Sequence, residues 1–85
     1  GVLNLTRAMA AEFGEHGITA NCISPGQIPR TDTNKDQIET FRNMIPLQRT
    51  GLSQDLKGTV ALLASDAGAW ITGQEFRIDG GWSIW

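Results

Sequence analysis

Apolar residues recur at regular intervals along the first third of the chain. One set repeats every three or four residues, which predicts one face of an amphipathic helix; its members are Val2, Leu5, Met9 and Phe13. Gly17 is placed to end this helix in a left-handed conformation. The stretch ITANCIS, residues 18–24, combines short and β-branched apolar residues and predicts a strand buried on both faces.

The remaining pattern predicts two more helices and a second strand. A short helix with Ile38, Phe41 and Ile45 on one face follows Asn34, which with Gln37 resembles a capping box, and ends before Pro46. A third helix carries an apolar face and is expected to be capped by Ser53, with Asp55 in its first turn; the apolar residues are Leu56, Val60 and Leu63. QEFRIDGG, residues 74–81, predicts the last strand. The order helix, strand, helix, helix, strand indicates an α/β fold.

Composition narrows the class of protein. The chain has 85 residues, 40% of them hydrophobic, a net charge of −2 and a pI near 5.1, which favours a globular protein that binds neither nucleic acid nor membranes. Cys22 is the only cysteine and His16 the only histidine, so neither an internal disulfide nor a metal site is expected. A single cysteine also favours a cytoplasmic location.

The first residues, Gly-Val-Leu-Asn-Leu, already lie inside the apolar helical pattern, without a cap or a polar lead-in. This start predicts that the chain is part of a longer protein. Two strands separated by helices rarely form a stable parallel sheet alone, so we expect the rest of the sheet in another segment.

Three segments together resemble the C-terminal part of the short-chain dehydrogenase/reductase family. Residues 1–26 are similar to a family helix and strand ending in Asn-x-x-x-Pro-Gly, matched by Asn21, Pro25 and Gly26. LASDAGAWITGQ, residues 63–74, and RIDGGW, residues 77–82, are similar to two later family stretches. The resemblance implies the C-terminal part of a doubly wound, Rossmann-type parallel sheet, with residues 1–85 a fragment of one such domain.

The resemblance also implies a function. A parent protein would use NAD or NADP to transfer hydride between nicotinamide and a small carbonyl or alcohol substrate. The family's Gly-rich phosphate loop, catalytic Ser and Tyr-x-x-x-Lys do not occur in this chain, which has no tyrosine. No catalytic residue is therefore assigned here, whether this chain alone is an enzyme stays open, and tight cofactor binding by it is not expected.

The loop SPGQIPRTDT, residues 24–33, is the candidate cofactor-binding segment. Pro25 stiffens its start, and Gly26 lets the backbone approach a flat ring closely. By resemblance this loop holds the nicotinamide end of NAD(P), with Pro25 and Gly26 near the ring, Ile28 meeting the carboxamide through its backbone, and Thr31 adding a hydroxyl contact. Arg30 occupies the position at which the family usually has this Thr, so Thr33 is an alternative to Thr31.

The rest of the chain is assigned to the lid and to assembly. By resemblance, residues 27–52 form a substrate-covering lid, and the C-terminal strand pairs subunits of a homo-oligomer. Trp82 and Trp85 are expected on a covered surface, either a substrate pocket or, as we favour, a subunit interface. The alternative hypothesis is a truncated, non-catalytic module that associates with itself through an exposed strand edge and these tryptophans.

Overall fold

The fold is known from a computed structural model that describes all 85 residues. The elements are, in chain order, helix α1 (Val2–Phe13), strand β1 (Cys22–Pro25), helix α2 (Lys35–Met44), helix α3 (Lys57–Leu63) and strand β2 (Glu75–Ile78). The helix, strand, helix, helix, strand order predicted from the sequence is confirmed. None of the helices has both the length and the apolar character needed to cross a membrane.

The chain divides into two compact units. One consists of Gly1–Ile23 with Gly58–Phe76, and the other of Ser24–Lys57 with Arg77–Trp85. Each strand begins in the first unit and ends in the second, so the carboxyl ends of both strands belong to the second unit.

The two strands form a parallel pair. The N–H of Cys22 donates to the Gln74 carbonyl at 2.9 Å, and the N–H of Gly26 donates to the Ile78 carbonyl at 2.9 Å. The sequence offset is the same in both pairs, which is the register of parallel strands. The strand residues are only partly buried, with Pro25 exposed, so the prediction of a strand buried on both faces is wrong for this chain. The physical reason is that β1 has a single neighbouring strand in the sheet.

In the first unit, Gly17 ends the turn after α1 with a φ of 73°, as the sequence predicts. The face of α1 that is buried carries Thr6 and Ala10 rather than the large apolar residues. Val2, Leu5 and Met9 are instead 72%, 61% and 40% exposed. The helix was predicted correctly, but its apolar stripe is not the face that this chain covers.

Asn21 cross-links the start of the sheet within the first unit. Its side-chain N–H donates to the Ile71 carbonyl at 2.9 Å, and its side-chain oxygen accepts from the Gln74 N–H at 3.1 Å. Both ends of one short amide are therefore used to join the residue before β1 to the residues before β2. This is a structural role for the asparagine of the Asn-x-x-x-Pro-Gly segment.

In the second unit, α2 begins after Asn34 and ends before Pro46 as predicted, but the return hydrogen bond from Gln37 that completes a capping box is not formed. The Asn34 side chain accepts from the Asp36 N–H at 2.7 Å, which is an N-cap, and Ile45 leaves the helix in an extended conformation before Pro46. Ile45 is 3% exposed and is the most buried apolar residue of the chain.

The prediction that Ser53 caps the third helix is wrong. The chain enters a short 3₁₀ turn at Ser53–Leu56 before α3, and Leu52 is the residue in the capping position. The Asp55 carboxylate accepts from the Leu52 N–H at 2.7 Å. The carboxylate inside the turn thus reaches back to a free amide at the start of the turn.

Candidate functional site

The site is built at the carboxyl edge of the parallel sheet. Strand β1 ends at Pro25 and β2 at Ile78, and the hydrogen bond from the Gly26 N–H to the Ile78 carbonyl joins the two strands at this end. Parallel strands place their carboxyl ends at one edge, and open α/β sheets bind ligands in the crevice outside that edge. The loop predicted from the sequence as cofactor-binding lies at this edge.

Gly26 makes a close contact that the sequence did not suggest. A Cβ atom on Gly26 would lie 2.6 Å from the Cβ and 2.7 Å from the Cα of Asp79. Gly26 has no positive φ, so its conformation alone does not require glycine. The residue is half-buried, and the need for a bare backbone comes from the residue that follows β2. Approach to a flat ring, the reason inferred from the sequence, stays a prediction.

Asp79 organises the turn that follows β2. One carboxylate oxygen accepts from the Gly81 N–H at 3.0 Å and the other from the Ser83 N–H at 3.2 Å. A hydrogen bond from the Ser83 side chain is the largest cause that lowers the pKa of Asp79 below its ordinary value of 3.8, and these two amides add to it. The negative Asp79 carboxylate is thus held by N–H donors of the same turn that it stabilises.

A cavity of about 150 Å³ lies in the second unit beside these residues. Most of its apolar wall comes from Ile28, Ile45, Leu47, Leu56 and Ile78. Pockets for drug-sized ligands measure about 300–1,000 Å³, so this cavity has room for a ring-sized group but not for a dinucleotide. The chain by itself therefore encloses only a part of what a complete cofactor site requires.

An ion pair lies in the wall of this cavity. The Arg49 guanidinium donates to both oxygens of the Asp55 carboxylate, at 2.8 and 3.0 Å. The hydrogen bond from Arg49 is the largest cause that lowers the pKa of Asp55 to about 2, and the Leu52 N–H contributes next. The two-point geometry fixes the orientation of both side chains as well as their distance.

Between the two charged residues, Gly51 contacts the candidate loop. Its N–H donates to the Gln27 carbonyl at 2.8 Å, and a Cβ on it would lie 3.0 Å from Cγ1 of Ile28. The backbone N–H and C=O of Ile28 make no hydrogen bond within the chain. The loop after β1 is therefore held at Gln27, while the next peptide keeps its polar groups available.

The four residues predicted to bind cofactor fall into two pairs. Gly26 and Ile28 line the cavity, whereas Pro25 and Thr31 are exposed and do not. Thr33, the alternative to Thr31, has its hydroxyl oxygen engaged by the Arg30 N–H at 2.9 Å, which closes the loop on itself. Contact of any of them with a cofactor stays a prediction.

The aromatic residues of the C-terminal tail pack against the end of α2. The rings of Phe41 and Trp82 meet edge to face, with centroids 6.2 Å apart and planes at 72°. The Trp85 indole N–H donates to the Met44 carbonyl at 3.3 Å, although this side chain is 86% exposed. Trp82 is thus half covered by the predicted lid segment of its own chain, and the subunit interface favoured from the sequence stays a prediction.

Sequence reasoning missed the contribution of Arg49, Gly51 and Asp55. Their stretch reads as an ordinary loop followed by a helix start, because the arginine and the aspartate are six residues apart and in no recognisable motif. The glycine between them was the one available signal. Its importance depends on the nearness of Ile28, which only the tertiary structure shows.

The parallel strand pair with helices between its strands defines a piece of a doubly wound type of α/β protein. Comparison with known proteins makes the assignment more specific. Residues 1–83 match the family model described as enoyl-(acyl carrier protein) reductase. The chain belongs to the short-chain dehydrogenase/reductase family, as the resemblance implied.

Individual relatives agree with this assignment. The chain is 40% identical over 82 residues to a 3-oxoacyl-[acyl-carrier-protein] reductase of Synechocystis, covering 95% of this chain and 33% of the relative. It is similar to a short-chain dehydrogenase of Leptospira borgpetersenii serovar Hardjo-bovis solved with bound NAD+, with a TM-score of 0.93 and 38% identity over 99% of this chain and 33% of that one. A 4-hydroxyisoleucine dehydrogenase complexed with NADH gives a TM-score of 0.90 and 38% identity, over 99% and 37% of the two chains. The chain thus spans about a third of the length of the curated relative.

Proposed function

We propose that this chain is the C-terminal portion of an NAD(P)-dependent oxidoreductase that transfers hydride between nicotinamide and a carbonyl or alcohol substrate. The observation that carries the proposal is the likeness, over 99% of the chain, to a dehydrogenase solved with NAD+. The chain's part is to supply the nicotinamide-side loop, the substrate lid at residues 27–52 and the strand that joins subunits. The Synechocystis relative suggests a 3-oxoacyl thioester as a substrate class.

The residues at the carboxyl edge fit the nicotinamide end of such a cofactor. The free N–H and C=O of Ile28 match a carboxamide, which offers one acceptor and two donors. The exposed Pro25 and the apolar wall near Ile28 suit the face of a ring. When bound, the nicotinamide supplies or accepts the hydride; the role of these residues is to bind and orient it. With no tyrosine in the chain, the family's proton donor must come from another segment.

A chimera tests the proposal. Residues 1–85 replace the matching segment of the Synechocystis reductase, and both the chimera and the lone chain are titrated with NADH and NADPH by fluorescence. We expect negligible binding to the lone chain, and binding with turnover of a 3-oxoacyl thioester in the chimera. A chimera that folds, by circular dichroism, but neither binds nor oxidises either cofactor would contradict the proposal.

Substitutions at Ile28 test the loop within the same chimera. Ile28→Pro removes the backbone N–H, and Ile28→Val keeps it while preserving an apolar side chain. We expect the KM for the cofactor to rise in the proline variant and to stay near the parent value in the valine variant. Equal values in two variants that melt at the same temperature would remove the amide of Ile28 from the site.

A second candidate function is favoured by the exposed apolar side chains of the first unit. Val2 and Leu5 on α1 are 72% and 61% exposed, and Trp70 is 98% exposed. Surfaces of this kind are usually covered by a partner or by more of the same protein. A non-catalytic module that associates with itself would cover them with a second copy. Sedimentation of the lone chain discriminates: a stable cofactor-free oligomer supports the module, and a monomer rejects it.

A further inference from the structure

We propose that Arg49, Gly51 and Asp55 act as a clamp that positions the loop after β1, and that through this loop they set the affinity for the nicotinamide cofactor. The inference rests on the proposed function, because the loop matters for affinity only if it binds a cofactor. None of the three is offered as a catalytic residue. They act through Gln27 and Ile28, with which Gly51 is in contact.

The clamp is closed by three hydrogen bonds, all of them accepted by the Asp55 carboxylate. The Arg49 guanidinium and the Asp55 carboxylate join the two ends of the segment through two parallel hydrogen bonds. Asp55 also accepts the Leu52 N–H, which fixes the direction in which the chain leaves Gly51. The segment between the ends is therefore held in one conformation by a single carboxylate with three donors.

Gly51 transmits this conformation to the loop. Its N–H donates to Gln27 at 2.8 Å, so that any shift of the clamp pulls on the peptide that precedes Ile28. The missing Cβ allows Ile28 to pack within ordinary contact distance, since an added Cβ would lie only 3.0 Å from Cγ1. One hydrogen bond and one steric contact thus define where Ile28 presents its free backbone groups.

The ion pair suits such a role better than a purely stabilising one. The Arg49 side chain is 54% exposed and that of Asp55 27% exposed, so the attraction is weakened by solvent and adds little to overall stability. Its geometry is nonetheless specific, because a guanidinium fork and a carboxylate define a plane as well as a distance. A lysine at position 49 would keep the charge and lose that plane.

The test uses Asp55→Asn, with Glu15→Gln as the matched control. Both changes remove one negative charge, and Glu15 pairs only with the exposed His16 in the first unit. In the 85-residue chain, amide hydrogen exchange at Gly51 should accelerate about fivefold in Asp55→Asn, which is the upper end of the effect expected for an exposed ion pair. The control should leave the Gly51 rate unchanged.

The functional arm uses the chimera described above. Asp55→Asn should raise the KM for NAD(P)H about fivefold while leaving the KM for the thioester unchanged, and Arg49→Lys should give a smaller rise. A merely structural defect would lower the active fraction, and hence kcat, without moving the cofactor KM alone. Gly51→Ala, which leaves the ion pair intact, should raise the cofactor KM at least about fivefold by displacing Ile28.

The outcomes separate this inference from the proposed function. If the parent chimera binds cofactor and the cofactor KM is unchanged in Asp55→Asn and Gly51→Ala, the clamp is overturned and the proposed function stays in place. A parent chimera that binds no cofactor removes the proposed function and the positioning role with it. Unchanged Gly51 exchange in Asp55→Asn overturns the clamp whatever the chimera does.

Discussion

Replacing Gly26 with alanine tests the tightest contact at the carboxyl edge of the sheet. The new Cβ would lie 2.6 Å from the Cβ and 2.7 Å from the Cα of Asp79, and the second of these atoms is backbone. Real Cβ contacts are not this short, so either β2's end or the loop after β1 must move. The Gly26–Ile78 hydrogen bond, at 2.9 Å, resists that movement.

The expected loss can be measured against Gly58→Ala in the same chain. Overpacking costs about 1–3 kcal/mol, so Gly26→Ala should destabilise the folded chain by that amount. A Cβ on Gly58 would meet nothing within 4 Å, and alanine in a helix is favoured over glycine by about 1 kcal/mol. Both substitutions lower the entropy of the unfolded chain equally, so this contribution cancels. Because the helix preference for alanine largely reflects that same backbone entropy, the two variants should differ by about 1–3 kcal/mol, the overpacking cost at Gly26.

Urea unfolding of the cofactor-free chain, followed by its three tryptophans, is the assay. With an m value of about 1 kcal/mol/M, the two midpoints should lie about 1–3 M apart. If the free-energy cost of the contact exceeds the free energy of unfolding of the chain, Gly26→Ala should give the circular dichroism spectrum of an unfolded chain without denaturant, while Gly58→Ala stays folded.

The same measurement separates two reasons for a glycine at this position. If Gly26 is needed only for the approach of a cofactor ring, the cofactor-free chain should tolerate alanine. A midpoint for Gly26→Ala equal to that of the parent chain, with Gly58→Ala at or above it, would refute the packing argument. Asp79 would then have to move aside at no cost.

Two further predictions concern polar side chains. Asn21→Asp should destabilise the chain by about 1–3 kcal/mol, because it removes the donor to the Ile71 carbonyl and leaves two acceptor oxygens facing each other. Urea unfolding midpoints check this, with Asn4→Asp on α1 as the control. The pKa of Asp55 is lowered from 3.8 to about 2 in the folded chain, so its contribution to stability is full above about pH 4 and is lost as the pH falls through about 2. An acid titration followed by circular dichroism should therefore show a weaker pH dependence over this range in Asp55→Asn than in the parent, and equal curves would contradict it.

The helices and strands of the fold could be predicted from local sequence patterns. Helix positions follow from apolar spacing, and their ends follow from backbone chemistry at Gly17, Asn34 and Pro46, where a left-handed φ, a side-chain acceptor and a ring constraint act within a few residues. The wrong cap at Ser53 marks the limit of this reasoning. Hydroxyls are good caps in general, but here the turn begins one residue earlier, at Leu52, and the Asp55 carboxylate accepts the Leu52 N–H.

Only about half of the candidate site could be predicted from the sequence. The proline and glycine after β1 identified the loop, and its position at the carboxyl edge of the sheet agrees with that identification. The segment that supports the loop could not be found, because Gly51 and Gln27 are far apart in sequence and no motif connects them. The close contact between Gly26 and Asp79 was hidden for the same reason.

By itself, the sequence determined the order of elements, the family and the place of the candidate loop, because helix periodicity, turn chemistry and short motifs act over a few neighbouring residues. Only the tertiary structure decided which faces are covered, what Gly26 packs against and how Arg49 and Asp55 support Ile28. Those features depend on contacts between segments distant in sequence. Local spacing limits which contacts can form, but packing of the folded chain selects among them.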